Sequence, residues 1–195
     1  DGTDPKVVEG AAEALKANGG CGVPTIKPWD MDTICEKFAL VQEPEPFAIA
    51  MDIDAAGLPS LQGLTPPAGS KSVEELKQIV SWAQRPFILK GIMTARGAEK
   101  ALEAGASGIV VSNHGGRVLD HCPATAEVLP DIVDAVGGVE VDVPQDMKWD
   151  MSDTGDIKID LKKGLQTLDG NKALQLVRFR KGYANGDVGR IQVAS

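Results

Sequence analysis

The chain has 195 residues, of which 43% are hydrophobic and 25% charged, and its net charge is −8. This composition is ordinary for a soluble globular protein with one good-sized domain or two small ones. The acidic balance argues against a general nucleic-acid binder, which needs a basic surface. No stretch approaches the roughly 18 apolar residues of a membrane span, and no signal-peptide pattern opens the chain, so we expect a cytoplasmic protein.

Charge is distributed unevenly along the chain. From Val139 onward there are nine acidic and nine basic residues, so the first 138 residues carry the whole net charge. Such an asymmetry is a weak sign of two units. The three cysteines are odd in number and widely spaced, which favours reduced, packing thiols over a metal site or a disulfide framework.

Helices and strands alternate through the first 138 residues. Helical spacing of apolar residues and end signals predict helices at 5–18, 32–40, 72–83, 94–104 and 125–136. Asp32 or Thr33 is expected to start the second helix, and Ser72 with Glu75 forms a capping box for the third. Apolar runs predict strands at 23–29, 47–51, 86–89 and 108–111, with a loop at 57–69. This order predicts an α/β fold with a parallel sheet of three or four β/α units.

Polar side chains follow three of these strands. Asp52 and Asp54 end the second, Lys90 follows the third, and His114 with Arg117 follows the fourth. Active sites of parallel α/β sheets lie at the carboxyl ends of their strands, and a base beside a cation suits chemistry on a small acid. The alternatives are solvated loop acids and a polar loop with a hydrogen-bonded histidine, and the spacing alone does not decide between them.

The pattern changes after Gly138. Residues 139–143 and 157–161 alternate apolar and polar, which predicts an antiparallel sheet with one wet face. A loop containing Met147, Trp149 and Met151 is expected between them, and a helix at 171–180. The end of the chain is cationic, and its basic residues are either a solvated helix end or a phosphate site; they include Arg178, Arg180, Lys181 and Arg190.

Three segments of the first part carry a family resemblance: PFILKGI at 86–92, EAGA at 103–106 and IVVSNHGGRVLD at 109–120. The first 138 residues thereby resemble the FMN-dependent α-hydroxy-acid dehydrogenase/oxidase family, which includes lactate oxidase and glycolate oxidase. That family is a (β/α)8 TIM barrel. The resemblance implies that residues 1–138 form a partial barrel, about its third to sixth units, joined to a small α+β fragment at 139–195.

The resemblance also implies roles for individual residues. His114 would be the catalytic base, Asp54 would orient it, and Arg117 would bind the substrate carboxylate. Lys90 would lie beside the flavin ring, and Ser112 would contact it. The implied cofactor is FMN, with no metal, and the implied reaction oxidises a small 2-hydroxy acid to a 2-oxo acid.

The chain departs from this family's pattern at several places. Asp52 stands where the family has a threonine that contacts flavin, and no arginine follows Gly57 as it usually does. The substrate-pocket tyrosine has no clear match, and Trp29 is the candidate stand-in. The phosphate-binding DGGxRxG run is absent from the sequence. The first two and last two units of the barrel are also missing, so we expect a barrel that cannot close on itself and that exposes strand edges.

A second resemblance covers about residues 130–192. It rests on VGGVEVDVP at 136–144, IDLKKG at 159–164, LDG at 168–170, ALQLVRFR at 173–180 and DVGR at 187–190. These segments resemble the LytR-CpsA-Psr family, whose members transfer lipid-linked glycopolymers to the bacterial cell wall. The resemblance implies that Arg178, Arg180 and Arg190 hold a polyprenyl pyrophosphate. The family's membrane helix and the first half of its domain have no counterpart here.

The two resemblances meet at residues 134–138, a string that both families can carry at the end of a helix. Our hypothesis is that the chain is a chimera of two gene fragments joined at this string, in which case it is a fragment without activity. Reading single DNA molecules across the codons for residues 135–138 tests this hypothesis. An unbroken read from the source organism would contradict an assembly artefact.

Overall fold

The computed structural model describes residues 4–150 and 158–194. Chain contacts divide it into two compact units, residues 1–125 and 126–195. The elements of the first unit, in chain order, are α1 (Pro5–Ala17), β1 (Thr25–Ile26), α2 (Met31–Gln42), β2 (Ile49–Asp52), α3 (Val73–Ala83), β3 (Phe87–Ile92), α4 (Ala95–Glu103) and β4 (Gly108–Val111). Three 3-10 turns accompany them, at Ile53–Gly57, Pro59–Leu61 and His114–Gly116.

The four strands of the first unit form one parallel sheet in the order β1-β2-β3-β4. Every residue of β2 is buried, as expected for a central strand covered on both faces. The edge strand β4 is half-buried, and Val110 is exposed. The predicted α/β class with a parallel sheet is confirmed, and the four strands lie in chain order, with α2, α3 and α4 following β1, β2 and β3.

Local sequence signals account for the helix starts. Ser72 accepts a hydrogen bond from the Glu75 backbone N–H while the Glu75 carboxylate accepts one from the Ser72 N–H, so the predicted capping box is confirmed. Thr94 caps α4 as predicted. The predicted start of α2 was wrong, because the carboxylate of Asp30, rather than Asp32 or Thr33, caps the helix by accepting the Thr33 N–H.

The elements of the second unit are α5 (Thr125–Ala135), β5 (Val139–Val143), β6 (Met147–Trp149), β7 (Ile159–Leu161), β8 (Gly164–Leu168), α6 (Gly170–Arg178) and α7 (Asp187–Ala194). β5 pairs with β8 and β6 with β7, both antiparallel. The antiparallel arrangement that the alternation predicted is confirmed, but the partner strands β8 and β6 were not predicted. The buried side chains of this unit form one apolar cluster, which includes Val133, Val143, Met147, Leu161, Leu168, Leu176 and Phe179.

Three predictions for this unit need correction. Met147 and Trp149 belong to strand β6 rather than to a loop, since Met147 turns inward into the apolar cluster. The helix expected at 171–180 ends at Arg178, so Arg180 follows it in extended chain. Strand β8 and helix α7 were not predicted, and Met151 and Ile157 lie outside the described residues.

Helix α5 packs with the second unit. Val133 and Leu129 contact its apolar cluster. Gly170 is required at the start of α6, because a Cβ there would lie 2.2 Å from the Pro130 carbonyl oxygen. Its backbone N–H also donates to the Asp134 carboxylate at 2.7 Å. The boundary between the two compact units thus lies at the first residue of α5. The change from the α/β pattern to alternating apolar and polar residues lies after α5, at Gly138.

Among the residues described, no helix is both long and apolar enough to cross a lipid bilayer. The cysteines in the described ranges, Cys21, Cys35 and Cys122, are all free thiols.

Candidate active site

The carboxyl ends of β2, β3 and β4 bring four ionisable side chains together. Asp52 and Lys90 are register partners across β2 and β3. Asp54 lies two residues beyond β2, and His114 lies three residues beyond β4. The sheet thus gathers Asp54, Lys90 and His114, which the sequence placed at three separate strand ends.

His114 is held by hydrogen bonds on its ring and its backbone. Its imidazole Nδ1 lies 3.1 Å from Asp54 Oδ1 and 3.3 Å from Lys90 Nζ. Its side chain is 8% exposed and that of Asp54 is 12% exposed. The pair is therefore buried, so Asp54 is not a solvated loop acid, whereas the alternative of a polar loop with a hydrogen-bonded histidine is compatible with this geometry. A carboxylate on Nδ1 orients an imidazole and leaves Nε2 as the nitrogen available for proton transfer.

The backbone of the His114 loop is strained. His114 has φ +57°, and Gly115 and Gly116 follow with φ +65° and +73°. A left-handed conformation costs energy at a non-glycine residue, and such residues occur at turns and helix ends, as at Gln84, as well as at active sites. Two hydrogen bonds stabilise this backbone conformation. The Ser112 hydroxyl accepts a hydrogen bond from the His114 N–H at 3.2 Å, and Asn113 Oδ1 accepts one from the Gly115 N–H at 3.1 Å.

Arg117 is anchored beside the histidine, where its Nε donates to the His114 carbonyl at 2.9 Å. This contact holds the guanidinium of the otherwise exposed Arg117 against the backbone of the His114 loop. Ser112, in turn, uses its hydroxyl to support the loop backbone. These hydrogen bonds of Arg117 and Ser112 are thus to the loop backbone, and the roles of the two residues toward a substrate and a flavin stay predictions.

Asp52 and Lys27 belong to the site and were not predicted as site residues. One carboxylate oxygen of Asp52 lies 2.5 Å from Lys90 Nζ and the other 2.5 Å from Lys27 Nζ, and its side chain is 5% exposed. The sequence did carry a signal for Asp52, since an acid at the end of a fully apolar strand needs a buried partner. No local pattern marks Lys27 as that partner, because it follows a strand of only two residues.

The two carboxylates have opposite ionisation tendencies. Burial disfavours ionisation of Asp52, but hydrogen bonds from Asp54, Lys27 and Lys90 outweigh it and hold its pKa well below the usual range. Burial and the neighbouring Asp52 carboxylate raise the pKa of Asp54, against the opposing influence of His114 and Lys90. Asp54 Oδ2 is buried and has no hydrogen-bond partner among the described residues. The site thus has one firmly ionised carboxylate and one that accepts a proton more readily.

Donor atoms of Asp52, Asp54 and His114 all lie within 4.8 Å of one another, a spacing compatible with a metal ion. Both oxygens of Asp52 are, however, bound to ammonium groups. We therefore interpret this cluster as an ion-pair network.

Because ionised Asp52 is stabilised in the fold, Asp52→Asn should cost stability in a pH-dependent way. Because the pKa of Asp52 is lower in the folded protein than in the unfolded chain, its ionised carboxylate adds to the free energy of unfolding. This contribution is fully present above pH 3.8, the ordinary pKa, and declines as the pH falls below it. At pH 7 we expect a loss of about 1.5–3 kcal/mol in the free energy of unfolding, the range for hydrogen bonds to charged groups. Urea unfolding at pH 7 and pH 3 should show a smaller difference between wild type and variant at the lower pH.

The matched control is Glu103→Gln, which removes an exposed ion pair between Lys77 and Glu103 at 3.1 Å in the same unit. It should change stability little at either pH, since exposed pairs contribute about 0–1 kcal/mol. A cost of Asp52→Asn that is equal at both pH values would contradict the ion-pair account.

The second unit contains a separate cavity of about 620 Å³. Its lining combines cationic and apolar side chains, namely Trp149, Ile159, Val177, Arg178, Phe179, Arg180, Lys181 and Arg190. Buried Phe179 separates exposed Arg178 and Arg180, and Lys181 Nζ lies 3.5 Å from the Trp149 ring centroid. Arg190 donates through Nη1 to the Val177 carbonyl at 3.1 Å. The three arginines predicted as a phosphate site are therefore gathered around one cavity.

Two family models match the chain. The FMN-dependent dehydrogenase family matches residues 54–147, and the LytR_cpsA_psr family matches residues 109–193. Both resemblances seen in the sequence are thereby confirmed, and the two matches overlap across α5 and the residues that flank it.

The chain is also similar to individual 2-hydroxy-acid oxidising enzymes. A peroxisomal (S)-2-hydroxy-acid oxidase of Oryza sativa subsp. indica is 49% identical over 75 residues, which are 38% of this chain and 20% of that protein. An L-lactate dehydrogenase of Pseudomonas syringae pv. syringae (strain B728a) is 53% identical over 68 residues, 35% and 18% of the two chains. The chain thus matches about a fifth of the length of these curated relatives.

The chain is also similar to solved structures of hydroxy-acid oxidases. A mandelate oxidase variant with (S)-mandelic acid is 26% identical at a TM-score of 0.56, covering 65% of this chain and 43% of that one. A lactate oxidase of Pediococcus acidilactici is 27% identical at a TM-score of 0.52, covering 67% and 49%.

The residues present fit one side of a bound FMN. Lys90 presents an ammonium at the strand ends, and the buried, unpartnered Asp54 Oδ2 marks a place where a polar group of a bound molecule would be satisfied. The donor set of ammonium, imidazole and guanidinium suits a flavin ring and a carboxylate substrate. The phosphate-binding run of the family is not in the sequence, so the fit concerns the ring alone.

Proposed function

We propose that the first unit carries the catalytic side of an FMN-dependent oxidation of a small 2-hydroxy acid to a 2-oxo acid. The observation that carries the proposal is the buried contact of His114 Nδ1 with Asp54 Oδ1 at 3.1 Å, beside Lys90. The relatives named above support the same reaction class. We further propose that the parallel sheet of β1 to β4 with its helices is part of a TIM barrel and that residues 139–195 are a separate segment.

His114 is the base in this proposal. Asp54 holds Nδ1, so Nε2 takes the proton of the substrate hydroxyl. A carboxylate beside the ring stabilises the imidazolium that this transfer creates. Burial of the pair strengthens the interaction, because water screens it less.

Arg117 binds the substrate carboxylate. Its Nε is anchored on the His114 carbonyl, which leaves the two Nη groups of the guanidinium for a substrate carboxylate. A guanidinium suits this task because it pairs with a carboxylate through two parallel hydrogen bonds.

FMN, when bound, supplies an acceptor for the two electrons that leave the α-carbon. Lys90 and Ser112 are the residues of this chain that would lie against it. An ammonium at that place favours negative charge on the ring, since charge stabilisation by a fixed cation in a dry site is strong.

The proposal is tested by product formation. The purified chain is supplied with FMN and with glycolate or L-lactate, and the 2-oxo acid is trapped as its phenylhydrazone. We expect product that depends on both FMN and the α-hydroxyl group, with propionate as the inert control substrate. Binding of FMN without any 2-oxo acid would contradict the proposed reaction.

A second candidate function rests on the cavity of the second unit. We propose that it binds a lipid-linked phosphate, as expected for transfer of a polyprenyl-pyrophosphate glycopolymer. The cavity joins cationic Arg178, Arg180 and Arg190 to apolar Trp149 and Phe179. An isoprenoid pyrophosphate has the same two-part chemistry, with a charged head and an apolar tail.

Arg180→Ala tests this second candidate. We expect the variant to bind farnesyl pyrophosphate about tenfold more weakly than the wild type, the scale of one lost hydrogen bond to a charged group. The measurement is a calorimetric titration, with farnesol as the ligand that lacks the charge. Lys172→Ala, on an exposed position of α6 outside the cavity lining, is the control and should leave the affinity unchanged. Equal affinities for all three proteins would exclude the cavity as the phosphate site.

A further inference from the structure

Asp52 occupies an unusual place between two lysines. Its two carboxylate oxygens bind different ammonium groups, that of Lys27 after β1 and that of Lys90 in β3. The Asp52 side chain is nearly fully buried, whereas those of Lys27 and Lys90 are 19% and 29% exposed. One buried anion thus joins the carboxyl ends of three adjacent strands.

The charges of this trio do not cancel. Two ammonium groups and one carboxylate leave a net charge of +1, and each lysine takes part of the negative charge of Asp52. The other ionisable groups facing the trio are Asp54, 3.6 Å from Lys90 Nζ, and His114, whose Nδ1 lies 3.5 Å from Asp52 Oδ1. Lys27 therefore acts on Lys90 through the carboxylate that the two lysines share.

We propose that Asp52 and Lys27 are positioning residues for Lys90. Asp52 fixes the Lys90 ammonium at the strand ends, and Lys27 offsets the charge of Asp52, so that Asp52 and Asp54 together do not make the site net negative where the flavin ring would lie. The consequence for the ring rests on the proposed function, whereas the ion-pair arrangement itself does not.

Two substitutions distinguish this role from a general loss of structure, because they are expected to change the reactivity of Lys90 in opposite directions. Asp52→Asn frees Lys90 and raises the net charge of the site. Lys27→Met removes one of the two ammonium groups from Asp52, so Asp52 holds the Lys90 ammonium more tightly and the net charge of the site falls. General damage to the fold would change the acetylation rate of Lys90 in the same direction in both variants.

The first measurement needs no cofactor. Trace acetylation with acetic anhydride, followed by peptide mass spectrometry, gives the reaction rate of Lys90 relative to exposed Lys162. Acetylation requires the Lys90 amine to leave Asp52, so we expect the rate to rise about tenfold in Asp52→Asn, the scale of a lost charge-assisted hydrogen bond. The rate should fall in Lys27→Met and stay unchanged in Glu103→Gln, which breaks only the exposed pair with Lys77.

A Lys90 rate that is unchanged in Asp52→Asn, or that rises in Lys27→Met, overturns the proposal. Circular dichroism verifies the fold of each variant. Asp52→Thr is the second neutral variant, to be used if the asparagine variant does not fold, and the same rise is expected of it.

The second measurement is the midpoint potential of added FMN in each protein. Positive charge favours the reduced anionic ring, so the potential should become more positive in Asp52→Asn and more negative in Lys27→Met. A shift of the same sign in both variants contradicts the charge-balance role. If the wild type binds no flavin, the proposed function and the role toward the ring both fail, while the acetylation rates still decide whether Asp52 holds Lys90.

Discussion

Replacing His114 with Ala is expected to abolish reduction of flavin by a 2-hydroxy acid while leaving flavin binding in place. The imidazole is the group placed to take the hydroxyl proton, and positioned general bases contribute about 10²–10⁴ in rate. The contact between Asp54 and His114 at 3.1 Å is lost in the variant, so the base and its orienting partner disappear together. Stopped-flow absorbance of the flavin after mixing with substrate measures the rate.

The control for this variant is His121→Ala, since these are the two histidines of the chain and the side chain of His121 is 95% exposed. It should reduce flavin at the wild-type rate. Reduction that persists in His114→Ala would show that the base assignment is wrong.

Gly91→Ala should be the most disruptive small substitution at the site. Gly91 has φ +102° at the irregularity in β3, where the register with β4 shifts between Lys90 and Ile92. A Cβ there would lie 2.5 Å from Asp54 Cγ, so Asp54 must move away from His114. We expect a loss of about 2–5 kcal/mol in unfolding free energy, combining about 1–2 for the backbone conformation and about 1–3 for overpacking.

Gly63→Ala is the matched control, because Gly63 has φ +73° in the same unit and open space around the added Cβ. It should show the backbone cost alone. Urea unfolding compares the two variants, and flavin reduction should be lost only in Gly91→Ala. Equal stability losses would mean that Asp54 moves aside without cost and that the packing of its carboxylate against Gly91 is unimportant.

Much of the first unit could be predicted from local pattern. Its strands are short apolar runs that end in polar residues, and its helices start at recognisable caps such as Ser72 and Thr94. Because the strands are parallel, their polar ends necessarily meet at one edge of the sheet. The gathering of Asp54, Lys90 and His114 follows from that rule, and family resemblance added their roles.

The missed features depend on contacts between distant residues. Lys27 is 25 positions from Asp52, and only the packing of β1 against β2 brings them together. Strand β6 has just three residues, too few to show alternation, and its inward-facing Met147 has meaning only once the apolar cluster forms. Helix α7 lacks a strong apolar face, so its sequence resembles that of a polar tail.

The two family matches overlap across helix α5, which packs with the second unit. Helix α5 follows the His114 loop in sequence, and its inward side chains pack on β5–β8 and α6. Gly138 fits the second unit closely, since a Cβ there would lie 3.0 Å from the Leu168 carbonyl oxygen. These contacts are compatible with our hypothesis that two gene fragments were joined at residues 134–138, because that string packs well in its present surroundings.

The most direct test of the proposed site is the visible spectrum of the FMN-loaded chain, recorded without oxygen before and after addition of glycolate or L-lactate. A site in which His114 acts as base beside the flavin predicts loss of the oxidised flavin absorbance on adding either acid, with no change on adding propionate. FMN that is bound by the chain and keeps its full absorbance in excess hydroxy acid would contradict the account.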